Sequence, residues 1–102
     1  MDLIRSLCKD DTIFTTKHFL DRLEKREISY DDVLTVILNG EVIEDYPSAY
    51  PYPCILMLGC TNGNKPLHVV LGTDGTYLWL ITTYYPTLDK WNNDFKTRRE
   101  EK

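Results

Sequence analysis

Apolar positions follow two rhythms along the chain. Up to about residue 40 they recur every three or four positions, as on one face of a helix; beyond it they run together or alternate, as in strands. Leu3, Ile4 and Leu7 keep helical spacing before Asp10-Asp11-Thr12, so residues 1–14 are expected to form a short leading helix or an arm. From about Thr16 to Lys25, Phe19, Leu20 and Leu23 share one face, and Thr15 or Thr16 can cap the first turn. Ser29 opens a second helix. Ser29-x-x-Asp32 has the form of a capping box with Asp in place of Glu, and Val33, Leu34, Ile37 and Leu38 supply the apolar face. Asn39-Gly40 predicts its end, because glycine accepts a left-handed residue there.

The second half predicts an antiparallel sheet of about four strands. Glu41 to Tyr46 forms an edge strand, and Cys54 to Cys60 forms a buried one. Between them Tyr50-Pro51-Tyr52-Pro53 makes a rigid loop, since two of its four residues lack an N–H. Asn62-Gly63 and Asp74-Gly75 are hairpin signals. They bracket Pro66 to Leu71, where Leu67, Val69 and Leu71 take one face and His68 and Val70 the other. Tyr77 to Tyr85 is the last strand, and Pro86 ends it. Trp91 and Phe95 then stand four apart, which suggests a short helical tail on the sheet. Helices followed by strands imply an α+β fold with two helices packed on the sheet.

A chain of 102 residues has the size of one domain, here residues 15–99, with residues 100–102 expected to fray. Its apolar share of 42% is ordinary for a packed core. The net charge of −4 argues against nucleic acid, but residues 31–50 alone carry −5, so the remainder sums to +1. With a Debye length of about 8 Å, an acidic side and a mildly basic side act partly independently.

Three cysteines, Cys8, Cys54 and Cys60, make no CxxC pair and have no metal-like spacing to His18 or His68. No disulfide framework, metal or cofactor is expected, and Cys54 and Cys60 are read as small core residues. No apolar run reaches the length of a membrane span, and the start lacks the pattern of a secretory signal. The cytoplasm is the expected location, with no membrane partner.

Several short matches in order connect the chain to a known family. They are Thr16-x-His18-x-x-x-Arg22-x-x-x-Arg26-x-Ile28, Asp32-Val33 and Asn39-Gly40-Glu41-Val42-Ile43-Glu44-x-Tyr46-Pro47, then Tyr52-Pro53, Pro66-Leu67-His68-Val69-Val70, Ile81-Thr82-x-Tyr84-x-Pro86, Trp91 and Arg98. Over about residues 15–99 the chain resembles a bacterial family catalogued as domain of unknown function 4258, grouped with the RelE/ParE-like toxins. The resemblance implies helices on a curved antiparallel sheet, a metal-independent endoribonuclease of toxin–antitoxin type, RNA as substrate and a small antitoxin-like partner. The acidity of this chain departs from the basic character of ribosome-dependent toxins.

Cleaving RNA without metal requires a base, an acid and a cation at the phosphoryl group. Histidine can exchange protons near neutrality, arginine matches phosphate oxygens, and tyrosine donates a proton or stacks on a base. The candidates for catalysis are therefore His18, Arg22, His68 and Tyr84, and those for substrate binding are Arg26, Thr82 and Arg98. His18, Arg22 and Arg26 form one helix ridge at i, i+4 and i+8. Plain alternation puts Thr82 and Tyr84 on the face of Leu78 and Leu80; their relation to His68 depends on the hairpin register.

Each candidate also has a plain structural role. His68 can be a half-buried strand residue, His18 a helix-start anchor, the arginines a solvated face, and the tyrosines sheet packing. A competing function follows from the acidic 31–50 stretch and the Tyr/Pro loop 46–53, which together suit a non-enzymatic protein–protein interaction module.

Overall fold

In a computed structural model, which describes residues 2–9 and 11–98, three helices accompany one five-stranded mixed sheet. The elements are α1 Asp2–Ser6, β1 Ile13–Thr15, α2 Lys17–Lys25, α3 Tyr30–Asn39, β2 Glu41–Tyr46, β3 Cys54–Cys60, β4 Pro66–Thr73 and β5 Leu78–Tyr84. The sheet order is β1-β5-β4-β3-β2. The antiparallel meander β2 to β5 matches the expected four strands. The fifth, β1, straddles the end of the segment 1–14 expected to be a helix or arm and takes in Thr15, a candidate helix cap; it pairs parallel to β5, from Ile13 opposite Leu78 to Thr15 opposite Leu80. Three residues are too few to leave a period in the sequence. The expected fraying of residues 100–102 lies outside the described residues.

Both helix caps form. Thr16 Oγ1 accepts from the N–H of Phe19 at 3.0 Å, and Ser29 Oγ accepts from that of Asp32 at 3.1 Å. The Asp32 carboxylate closes no capping box; it accepts from the N–H of Asn62 at 3.0 Å and ties α3 to the β3–β4 turn. Gly40 is extended rather than left-handed. Space is what demands glycine here, since a Cβ would sit 2.5 Å from the carbonyl oxygens of both Val36 and Leu58.

The core lies between the helices and one sheet face. Phe19 and Leu23 of α2 and Val33, Val36 and Ile37 of α3 pack with Met57, Leu67, Val69, Leu71, Leu78 and Leu80. The buried stripes differ from expectation at Leu20 and Leu38, which are exposed, while Val36 is buried. Val36 gains its place because Gly59 has no side chain: a Cβ there would lie 3.1 Å from Val36. Burial of Cys54 holds, whereas Cys60 is exposed at the end of β3.

Two turns place glycine and asparagine differently. Gly75 takes a φ of +92° in the β4–β5 turn, where Asp74 accepts from the N–H groups of Thr76 and Tyr77. In the β3–β4 turn the left-handed residue is Asn64 rather than Gly63.

No helix follows β5 among the described residues. Residues 91–98 instead form a narrow loop in which Trp91 bridges to Arg98 and the N–H of Asn92 donates to Thr97 at 2.8 Å. Asp94 ends any helical course, because its carboxylate accepts from the backbone N–H groups of Lys96 and Thr97 and the Thr97 hydroxyl. Phe95 accordingly takes a φ of +56°.

Candidate functional site: the helix-free face of the sheet

The helices cover only one face, so the register decides which side chains reach the other. Gly59 meets Val36 of α3, and Gly59 pairs with Leu67, which assigns Leu67 and Val69 to the helix side. His68, between them, points to the opposite face. On β5 a bulge changes the expected alternation. Val70 pairs with Thr82 and Leu71 with Leu80, so Ile81 is an extra residue. Leu78 and Leu80 face the core, while Thr82 and Tyr84 turn to the helix-free face. Plain alternation alone predicts all four on one face. The extra residue brings Tyr84 directly opposite His68.

His68 is fully buried although it faces away from the helices. The loop after β5 covers it. Trp91 meets the imidazole edge-on with ring centroids 4.5 Å apart, and Tyr84 flanks it at 5.3 Å. Nε2 lies 2.7 Å from the carbonyl oxygen of Phe95, and Nδ1 lies 3.3 Å from the hydroxyl of Tyr84. Burial pushes the His68 pKa down, an effect only partly opposed by the Phe95 carbonyl and the Glu44 charge. The imidazole is therefore neutral at pH 7.

Glu44 and Tyr46, two apart on β2, fix the far end of the loop. The Glu44 carboxylate accepts a bidentate pair from Arg98, Nε at 2.8 Å and Nη2 at 2.9 Å, and also the Tyr46 hydroxyl proton. The Arg98 guanidinium holds the Glu44 carboxyl below its usual range and lies 4.7 Å from the centre of the Trp91 ring. Lys96 pairs with Glu41 at 2.7 Å.

Between this loop and the end of β5 opens a cleft of about 660 Å³. Arg26, Lys90 and Arg98 line it with Tyr84, Tyr85 and Trp91, and no carboxylate is among its lining residues. Arg26 reaches it because α2 ends there: its Nη1 donates to the carbonyl of Thr83 at 2.7 Å, beyond the three residues that β1 covers. Tyr84 borders the cleft in front of His68, and burial raises its pKa above the ordinary phenol value.

The predicted residues therefore separate into two groups. Arg26, Tyr84 and Arg98 line the cleft, with His68 behind Tyr84 and Thr82 on the same sheet face. His18 and Arg22 stay on the outer side of α2, where Arg22 Nε donates to His18 Nε2 at 3.3 Å; neither lines the cleft. His18 is exposed and His68 sealed, so the helix ridge and the buried imidazole do not converge. Sequence reasoning missed Glu44 and Lys90 as site residues. The alternation of Glu44 and Tyr46 could have indicated that both share one strand face.

A second, apolar hollow of about 250 Å³ lies on the same face beside the loop 46–53. Tyr46, Tyr50, Tyr52, Trp79 and Ile81 line it, Tyr52 stacks on Trp79 at 5.7 Å, and Tyr50 is 95% exposed. Among the described residues no group of three His, Cys, Asp or Glu side chains is placed to hold a metal ion. None of the described helices is long and apolar enough to cross a membrane.

The family model described as domain of unknown function (DUF4258) matches residues 15–85, and the chain belongs to that family. The match ends just before the loop that closes the cleft. No curated protein matches the chain. No solved structure matches it.

Proposed function

We propose that this DUF4258 domain binds single-stranded RNA in the cleft bounded by Arg26, Tyr84, Lys90 and Arg98. The observation that carries this reading is the charge distribution. An acidic chain gathers Arg26, Lys90 and Arg98, the last with its Nε and Nη2 already paired to Glu44, in one aromatic-walled cleft without a lining carboxylate. Guanidinium and ammonium groups suit phosphates, and aromatic side chains suit unpaired bases. The reading extends the RelE-like resemblance, including its bacterial setting and a cytoplasmic location. The narrower activity implied there, metal-independent cleavage, has less support. His18 stands outside the cleft and His68 is shielded by Tyr84, so the two imidazoles offer no acid–base pair across a scissile phosphate.

Fluorescence anisotropy of a labelled short oligouridine, titrated at several salt concentrations, tests the proposal. Affinity is expected to fall with salt, and Lys90→Ala is expected to reduce the log–log slope by about 0.7, the value for one single-strand phosphate contact. Absence of salt-dependent binding would sink the reading.

The apolar hollow supports a second reading, a protein–protein module engaging a small antitoxin-like partner through the Tyr/Pro loop. The specific observation is the outward Tyr50 beside Tyr52 and Trp79. The acidic residues Glu41 and Glu44 of the same stretch are already paired to Lys96 and Arg98, which leaves the aromatic loop as its stronger part.

A further inference from the structure

The hydrogen bonds around His68 fix the direction of a proton that borders the cleft. The carbonyl of Phe95 can only accept, so the proton of the neutral imidazole resides on Nε2, which donates at 2.7 Å. Nδ1 is then an acceptor. The Tyr84 hydroxyl, 3.3 Å away, must supply the proton for that bond. Its oxygen keeps lone pairs but has no second proton to give. Thr83, next to it on β5, holds the β4 backbone in place by donating its hydroxyl to the His68 carbonyl at 2.8 Å.

A tyrosine beside two guanidinium groups would ordinarily donate to a bound phosphate. Here the guanidinium N–H groups that Thr83 and Glu44 do not take, on Arg26 and on Arg98 Nη1, remain donors for phosphate oxygens, while Tyr84 is an acceptor. A ligand that satisfies all three carries a hydrogen-bond donor close to its phosphate. The ribose 2′-hydroxyl is such a group, and deoxyribose lacks it. We infer that Tyr84, oriented by His68, is a specificity-determining residue that selects ribose over deoxyribose at the phosphate-binding cleft. Burial of His68, which keeps the imidazole neutral, maintains this polarity at pH 7.

The inference rests on the cleft being the RNA site, and one experiment separates the two. Oligouridine, its deoxy counterpart and its 2′-O-methyl counterpart are titrated into wild type and Tyr84→Phe, with circular dichroism confirming that the variant is folded. The 2′-O-methyl strand keeps a ribose-like backbone but cannot donate. Wild type is expected to bind the 2′-hydroxyl strand roughly 3- to 10-fold tighter than either analogue, the range for one neutral hydrogen bond. Tyr84→Phe is expected to bind all three alike, near the wild-type affinity for the analogues. Equal wild-type affinities, or a preference that survives in Tyr84→Phe, would overturn the role of Tyr84 while leaving the cleft as a phosphate site. Binding to none of the strands would remove the cleft reading and this inference with it.

Discussion

The imidazole of His68 donates through Nε2 to the backbone carbonyl of Phe95, 27 positions along the chain, at 2.7 Å. That bond ties the loop after the last strand to the centre of the sheet. Together with the Arg98–Glu44 pair it holds the outer wall of the cleft.

Truncating this imidazole should therefore loosen the loop as well as the core. His68→Ala leaves the Phe95 carbonyl and the Tyr84 hydroxyl without partners and opens a cavity beside Trp91. A loss of about 2–4 kcal/mol in urea unfolding is expected. Amide exchange at residues 91–98 should accelerate more than in β3. Unchanged protection of that loop would contradict the anchoring role.

The same histidine gives stability a pH dependence with a definite sign. Its folded pKa lies below the reference value of 6.5, so the unfolded chain binds a proton first as pH falls. Stability from this group is complete above about 6.5 and declines below it, until the folded-state pKa is reached. His68→Gln should flatten the unfolding free energy between pH 6.5 and the carboxylate range. An equally steep decline in the variant would assign the slope to other groups.

Glu44→Ala should act in opposite directions on fold and ligand. It removes the carboxylate partner of Arg98, a pair exposed on the arginine side, so the expected stability loss is about 1 kcal/mol or less. The released guanidinium should bind phosphate more readily, raising oligouridine affinity a few-fold in anisotropy titrations. Weaker RNA binding would mean that Arg98 is useful only in the position Glu44 gives it.

Gly40→Ala isolates a steric effect. The added methyl would lie 2.5 Å from two backbone carbonyl oxygens, at the junction of α3 and β2. A destabilisation of about 1–3 kcal/mol is expected in chemical denaturation, with RNA affinity retained at permissive temperature. Wild-type stability would indicate that this junction yields.

Tyr50→Ala separates the two functional readings. Its ring is almost wholly exposed, so stability should stay within about 0.5 kcal/mol of wild type. Oligouridine binding should be unaffected, while affinity for a partner peptide seated in the apolar hollow should drop. Loss of RNA binding instead would relocate the nucleic-acid site to that hollow.

Helices were the most legible part of the chain. Thr16 and Ser29 announce their caps locally, and each cap forms a bond within three residues. The meander was legible for the same reason, since alternation and turn residues are short-range signals. What escaped notice depends on partners distant in sequence. The bulge at Ile81 is set by pairing with Val70 and Leu71, and it alone decides that Tyr84 faces His68. The spacing of Trp91 and Phe95 imitates a helix, but the Asp94 carboxylate captures the N–H groups that a helix would use. The sequence around His68 is that of a candidate acid or base, because its near neighbours carry no sign of the loop that seals it.

The wall of the cleft is translated after every strand it leans against. Its two ties, Arg98 to Glu44 and Phe95 to His68, both reach back to strands that precede it in the chain. A growing chain could thus hold every residue of its sheet before the outer wall of the cleft exists. The outer wall of the cleft is then the last part of the described chain to be synthesised, after the strands that anchor it.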